Sequence, residues 1–388
     1  MKCKGCGVEL QTVDETGPGY ISEKVLNERL SDGRPVLCKR CFSMKHYGRL
    51  DAENNLVHSL ENLKAYLKTT GDILYVMDLS DFNGTFRGDI LSLLTDHRVH
   101  YVLNKVDLLP LEVKIEEIKI WAIDMLKVPE RRVRLASSLN GYGINSLYAY
   151  LKENGENYTA VGVTNVGKSS LLNALTRSSE ITVSRFPGTT LEVTPQRLER
   201  AGITVYDTPG VFTSDRVSDL LSVSDQSVLL PRKKLERYTM QFHSERTVFA
   251  GGFVRIDAVN NSDPVGIFHL FMPESVSIHE TNSSIADAQW DSWFGSFLKP
   301  PFTGSARSAL TWKRERYSLK TDQELHVNGL GWINIAKGPV SLSVTLPESV
   351  RLTVRKGLVG PKKFKRYRVS HKSNSMNDIH NLSQRTMV

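Results

Sequence analysis

The sequence predicts an α/β protein on a mostly parallel sheet, preceded by a small four-cysteine module and followed by a mainly β domain. Three observations predict it. Two C-x-x-C pairs open the chain, apolar strand and helix patterns alternate from residue 72 to 210, and short strands with turns take over from about 215. At 388 residues the chain is too long for one ordinary core, so two or three domains are expected. Boundaries are read at 1–50, 51–214, 215–358 and 359–388.

Cys3, Cys6, Cys38 and Cys41 are the only cysteines. Glycines around the first pair and the short Lys-Arg link of the second suit two knuckles that place four thiolates around Zn²⁺. Two disulfides or a redox pair are the alternatives. The start, MKCKGCGVEL, has neither a signal-peptide apolar core nor a transit-peptide look, so a reducing cytoplasm is expected and disulfides are disfavoured. A redox C-x-x-C would open a helix in a βαβ unit, which this segment does not resemble. A closed site of four thiolates is structural. No apolar run approaches the roughly 20 residues of a membrane span, so no membrane partner is expected.

Leu56, Leu60, Leu63 and Leu67 then recur at helical spacing, up to Gly71. DILYVMDL (72–79), VHYVLNKVDLL (99–109), VRLASS (133–138), YTAVGVT (158–164) and ITVYDTPG (203–210) read as strands, some running into loops. Helices are read at Ile115–Met125, 144–152 and 169–177. After 215, FMPESVSIHE (271–280) matches TLPESVRLTV (345–354), and GGFVRID (251–257) parallels LGWINIA (330–336), which predicts a β domain built from two similar halves.

Gly162-Val-Thr-Asn165-Val166-Gly167-Lys168-Ser169 matches G-x-x-x-x-G-K-[ST] between a strand and a helix that continues with Ser170. In such a P-loop, backbone N–H groups wrap phosphate, Lys168 reaches the β/γ oxygens and Ser169 offers Mg²⁺ a hydroxyl. Asp207-Thr-Pro-Gly210 would hold Mg²⁺ through Asp207 and face the γ-phosphate with the Gly210 N–H. FPGTT (186–190) lies where the first switch belongs, with Thr190, or alternatively Thr189, as the second Mg²⁺ hydroxyl. Asn104-Lys105-Val-Asp107 selects guanine. The Asp107 carboxylate accepts two guanine N–H groups, Asn104 fixes base and loop, and the Lys105 stem covers the ring. Ser137 and Ser138 can present a backbone N–H to guanine O6. These motifs predict a P-loop GTPase that binds GTP and GDP and hydrolyses GTP. The guanine-reading motif precedes the P-loop, which predicts a circular permutation that alters connectivity and leaves the site at the C-terminal strand ends.

Taken together, the two cysteine knuckles, NKVD, GVTNVGKSS, FPGTT and DTPG in this order and the GGF/GLGW repeat resemble the YqeH family of circularly permuted bacterial GTPases. The resemblance covers about residues 1–358. It implies a treble-clef-like zinc module, a C-terminal domain that binds RNA or protein, and a role in small (30S) ribosomal subunit assembly. Asn165 matches the P-loop asparagine that coordinates K⁺ in related potassium-stimulated GTPases; simple loop hydrogen bonding is the alternative. Val211 stands where Ras-like enzymes carry a water-positioning glutamine, so hydrolysis should be slow and dependent on K⁺ or a partner. A nucleotide-sensing RNA-binding protein that scarcely turns over, and a GTPase acting in RNA modification or at membranes, are the rival readings.

From Arg351 onward the chain carries ten Lys/Arg and one acid, so the excess positive charge sits at this end. Arg351, Arg355, Lys356, Lys362, Lys363, Lys365, Arg366 and Arg368, with Phe364 and Tyr367 among them, read as a handle for RNA phosphates. A solvated, disordered tail is the alternative. A monomer is expected.

Overall fold

In the computed structural model, strand β1 (Asp72–Asp78) is buried at every position after Asp72. A run apolar on both faces belongs in the middle of a covered parallel sheet. It pairs in parallel with β2 (Val99–Asn104) on one side and β4 (Asn157–Val161) on the other. β3 (Val133–Leu135) extends the β2 side and β6 (Ile203–Asp207) the β4 side, both in parallel. β5 (Thr194–Leu198) closes the β6 edge antiparallel, giving the order β3-β2-β1-β4-β6-β5. Helices Ile115–Leu126, Ile144–Asn154 and Lys168–Thr176 each bury an apolar stripe, with Trp121, Leu147 and Leu171 fully covered. The structure describes residues 1, 3, 9–15, 19–33, 36–39, 52–67, 71–176, 193–198, 201–242, 246–259, 266–302 and 307–359.

The expected strands and helices of the alternating section are present, and helix Ala52–Leu67 leads into β1. β5 was not anticipated from sequence. It is short and half polar, contains Pro195, and is mostly exposed, so only pairing with β6 marks it as a strand.

Among the described residues, the C-terminal part holds ten strands in two antiparallel sheets. β7 (Glu236–Phe242), β8 (Arg246–Ala250), β9 (Val254–Ala258), β10 (Gly266–Met272) and β11 (Ile278–Asn282) form one run of five. β12 (Trp312–Leu319), β13 (Gln323–Val327), β14 (Gly331–Lys337), β15 (Val340–Pro347) and β16 (Leu352–Lys356) form the second. The sheets are ordered β16-β13-β14-β10-β7 and β11-β8-β9-β15-β12. Numbered within its run, each sheet therefore takes strands 2, 3 and 5 from one run and strands 1 and 4 from the other. The sequence repeat maps onto this exchange. Pro273–Val276 and Pro347–Val350 make the same turn between strands 4 and 5, each valine N–H donating to its proline carbonyl at 3.0 Å.

One apolar cluster draws on both sheets, including Val254, Ile256, Leu270 and Ile333. The α/β core also reaches across: Phe271, Trp332, Leu358 and Val359 pack within it. Trp121 Nε1 donates to the Lys356 carbonyl at 3.0 Å, anchoring β16 on helix Ile115–Leu126.

Near the N-terminus, helix Glu23–Ser31 precedes a short stretch in which the Cys38 N–H donates to Cys3 Sγ at 3.2 Å. Both cysteines are buried. Cys6 and Cys41 lie outside the described residues, and no cluster of three or more metal-ligating side chains occurs among the described ones. Among the described residues, no helix is long and apolar enough to cross a membrane.

Candidate nucleotide site

The loops that follow β1, β2, β4 and β6 meet at one edge of the sheet, where parallel sheets bind ligands. The loop after β4 needs its glycines. A Cβ on Gly162 would stand 2.3 Å from the Val76 carbonyl oxygen, and one on Gly167, at φ +88°, 2.6 Å from Asn104 Nδ2. Lys168 opens the helix that follows and is buried. Its ammonium donates to the carbonyls of Gly162 (3.0 Å) and Val163 (3.3 Å). Burial lowers its pKa to about 8, against the pull of Asp207. A buried ammonium held by neutral carbonyls at a helix N-terminus suits an incoming phosphate. Ser169 Oγ donates to Asp207 Oδ2 at 2.6 Å, and Ser170 sits on the same first turn. Hydroxyl and carboxylate oxygens in this proximity are the hard donors Mg²⁺ takes.

The guanine-reading residues join the same network. Asn104, fully buried, donates through Nδ2 to the Val166 carbonyl (2.9 Å) and accepts the Ser138 N–H at Oδ1 (3.2 Å). One side chain thus ties the P-loop to the Ser137–Ser138 loop. Lys105, in a left-handed conformation at φ +65°, donates to Asp78 Oδ2 (2.5 Å) and to the Asn165 carbonyl (2.6 Å). Ser137 Oγ donates to Asp107 Oδ1 at 2.5 Å. The serine pair was assigned a backbone role from sequence. In the structure the Ser138 N–H is engaged by Asn104 and the Ser137 N–H by the Tyr142 carbonyl at 2.9 Å, while the Ser137 hydroxyl orients the Asp107 carboxylate.

On the phosphate side, Val211 forms a parallel bridge with Val163. Its N–H donates to the Gly162 carbonyl (3.1 Å), and its carbonyl accepts the Thr164 N–H (2.9 Å). The valine is buried, so its side chain is sequestered in packing. Gly210 lies against the P-loop, where a Cβ would come within 3.0 Å of Thr164 Cα. Thr189 and Thr190 lie outside the described residues, as do Lys362, Lys363, Lys365, Arg366 and Arg368. Of the basic residues that are described, Arg351 and Lys356 are near half exposed, beside Asp215 and Asp124. Arg355 is not available as a surface handle. It is buried, bonded to Glu324 Oε2 at 3.0 Å, with the Trp121 and Trp332 rings 5.1 and 5.3 Å away.

Sequence reading missed Asp78 and Arg216. Asp78 ends β1 and holds Lys105 with one oxygen and the Ser80 N–H (2.8 Å) and hydroxyl (2.6 Å) with the other. An acid closing a buried strand beside a P-loop was the available signal. Arg216 reaches the P-loop from beyond the DTPG segment, and no local pattern announced it.

Comparison with known proteins agrees with this geometry. Residues 157–243 match the family model described as 50S ribosome-binding GTPase, and residues 266–358 the one described as YqeH-like, C-terminal. The chain therefore carries a GTPase domain, and with it a requirement for Mg²⁺. Human nitric oxide-associated protein 1 is 23% identical, covering 92% of this chain and 75% of the relative. The chloroplastic GTP-binding protein brassinazole insensitive pale green 2 of Arabidopsis thaliana is 26% identical over 84% of this chain; the match spans 56% of that relative. The YqeH protein of Bacillus subtilis is 30% identical over 375 residues, covering 92% of this chain and 99% of the relative. Coverage of both chains almost end to end, with the C-terminal sheets matched as well as the GTPase domain, places this chain in the YqeH family.

Proposed function

We propose that this protein is a circularly permuted, GTP-hydrolysing switch in small ribosomal subunit assembly. The observation that carries the nucleotide reading is Asn104, whose one side chain bonds both the Val166 carbonyl of the P-loop and the Ser138 N–H of the guanine loop. The permutation is supported by connectivity: the guanine-reading strands β2 and β3 precede the phosphate-binding strands β4 and β6 in the chain yet lie in one continuous sheet.

In this reading Asp107, oriented by Ser137, accepts the guanine N–H groups, and Asn104 and Lys105 fix the base loop against the P-loop. Lys168, Gly167, Ser170 and the neighbouring N–H groups bind phosphate oxygens. Ser169, Asp207 and Thr190 (or Thr189) would hold Mg²⁺, which when bound neutralises phosphate charge. Gly210 offers its N–H to the γ-phosphate. Val211 offers no polar group to an attacking water, so turnover is slow and raised by K⁺ held through Asn165, or by a partner. Cys3, Cys6, Cys38 and Cys41 would hold structural Zn²⁺. The N–H donated to Cys3 Sγ and the burial of Cys3 and Cys38 suit a thiolate pair. Arg351, Lys356 and the basic residues beyond 360 would contact RNA, and the protein would act in the cytoplasm.

The test is co-sedimentation of the purified protein with separated small and large subunits in K⁺ buffer, with a non-hydrolysable GTP analogue, GDP or no nucleotide. Retention on the small subunit only with the analogue, lost in Asp107→Asn, supports the reading. A second reading, large-subunit binding, is favoured by the description of the matched GTPase family; analogue-dependent retention on the large subunit alone would establish it and sink the first.

A further inference from the structure

Arg216 follows the DTPG segment by six positions and is 4% exposed. Its Nη2 donates to Thr164 Oγ1 at 3.1 Å and its Nη1 to the Thr164 carbonyl at 3.4 Å. Thr164 is the P-loop residue whose N–H is held by Val211 and against which Gly210 packs. The same guanidinium is held by Asp219 through Nε (3.2 Å) and Nη2 (3.0 Å) and lies 3.9 Å from Asp81 Oδ2. Burial opposes its charge, and the carboxylates of Asp219, Asp81 and Asp215 together more than offset the penalty.

The other side of this cluster is the turn between β13 and β14. Asp81 Oδ1 accepts the Gly329 N–H at 2.8 Å, and the Val217 N–H donates to the Asn328 carbonyl at 2.8 Å. A Cβ on Gly329 would come 2.6 Å from Arg216 Cβ, so the turn approaches the arginine as closely as a glycine allows. Asp78, Asp81, Asn165, Arg216, Gly329 and Leu330 all line one cleft beside this contact.

We propose that Arg216 is a positioning residue for GTP hydrolysis, holding Thr164 of the P-loop and the β13–β14 turn in one arrangement so that nucleotide state and the C-terminal sheets are coupled through it. The inference rests on the nucleotide reading of Gly162–Ser169. Asp219 fixes the guanidinium, and its bonds to Thr164 end inside the loop that takes the phosphates. GTP and GDP load that loop with different phosphates, so they bias the Thr164–Arg216 arrangement differently, as coupling requires. Coupling is reciprocal: disturbing the arginine must change the relative affinity for the two nucleotides.

The experiment uses the full chain with Arg216→Gln, Arg216→Lys and Asp81→Asn. Three quantities are read: affinity for GDP and for a non-hydrolysable GTP analogue, single-turnover hydrolysis, and hydrogen exchange over residues 325–331 with each nucleotide. Arg216→Gln is expected to change the analogue-to-GDP affinity ratio at least about fivefold, the lower end of typical coupling, and to slow hydrolysis roughly tenfold. Arg216→Lys, which keeps the charge, should restore part of both. The nucleotide-dependent difference in exchange at 325–331 should disappear in Arg216→Gln. An unchanged ratio with an unchanged exchange difference, alongside a lower Tm, overturns the proposal and leaves Arg216 a structural brace. Should Arg216→Gln fail to fold, the nearly isosteric Asp81→Asn must shift the same ratio; an unshifted ratio there overturns it equally. Wild-type protein that binds neither nucleotide would instead defeat the underlying nucleotide reading, a distinguishable result.

Discussion

Lys168 and Arg355 are both buried cations, yet their surroundings differ. Lys168 is bonded to two backbone carbonyls of its own loop. Arg355 is bonded to Glu324 and to Asn83 Oδ1 at 2.8 Å. Glu324 in turn accepts the N–H groups of Leu358 (2.9 Å) and Val359 (3.1 Å) and an Asn334 N–H (3.3 Å). A cation among neutral acceptors still has its counter-charge to gain, whereas one locked to a carboxylate has already taken it. Lys168 thus keeps its charge for a ligand, whereas Arg355, in the seam under the C-terminal sheets, uses its charge to hold two parts of the chain together.

The contrast can be broken first at the seam. Arg355→Ala leaves Glu324 buried without its counter-ion and is expected to destabilise the protein by about 3–5 kcal/mol. Denaturant unfolding measures this, and an Arg355→Met/Glu324→Leu pair should recover most of the loss. At the nucleotide edge the effect should fall on binding and spare folding. Asp107→Asn is expected to weaken GTP binding roughly 100-fold, about 3 kcal/mol for a charged double acceptor, and to improve xanthine-nucleotide binding in the same fluorescence titration. Equal GTP affinity in the variant would remove Asp107 from the base pocket. Ser137→Ala sharpens the point: losing one orienting hydrogen bond should cost about 1 kcal/mol of GTP affinity with little change in Tm.

The smallest expected effect is a pH dependence where the two regions meet. Burial pushes Asp81 up to about 7, with Asp78 and Asp219 adding to the rise and Arg216 and the Gly329 N–H opposing it. His326 Nε2 faces it at 3.6 Å, and the Arg355 charge lies near. A carboxyl whose folded pKa lies above its unfolded value of 3.8 contributes stability below 3.8 that is lost as pH rises through about 7. Exchange protection at the β13–β14 turn should therefore fall between about pH 4 and pH 7 and level off above it, and the fall should vanish in Asp81→Asn. Equal slopes in both proteins would assign the dependence to another group.

What the sequence made legible was whatever local pattern encodes. β1 and β2 are largely apolar runs because both faces are covered, and the P-loop and NKVD strings carry their chemistry within a few residues. Arg355 was misread because its setting is non-local: its charge matches the basic residues beside it, while the acid that buries it lies 31 positions away. Arg216 and β5 were missed for the same reason, since each acquires its role from a distant part of the chain brought close by the fold. The Pro-Glu-Ser-Val repeat revealed the duplication, but four residues hold no information about which copy completes which sheet.

That exchange of strands has a consequence for how the C-terminal part can come into being. With strands 1 and 4 of each run lent to the opposite sheet, neither run can close its own sheet, and half of this region has no stable structure to wait in while the other half is made. The region is in effect a dimer tied into a single chain. Its folding is governed by long-range pairing and is correspondingly slow. A cut in the connection between β11 and β12 would yield two fragments that regain order only on each other, and a lone first run would be left to seek its missing strands from a second molecule.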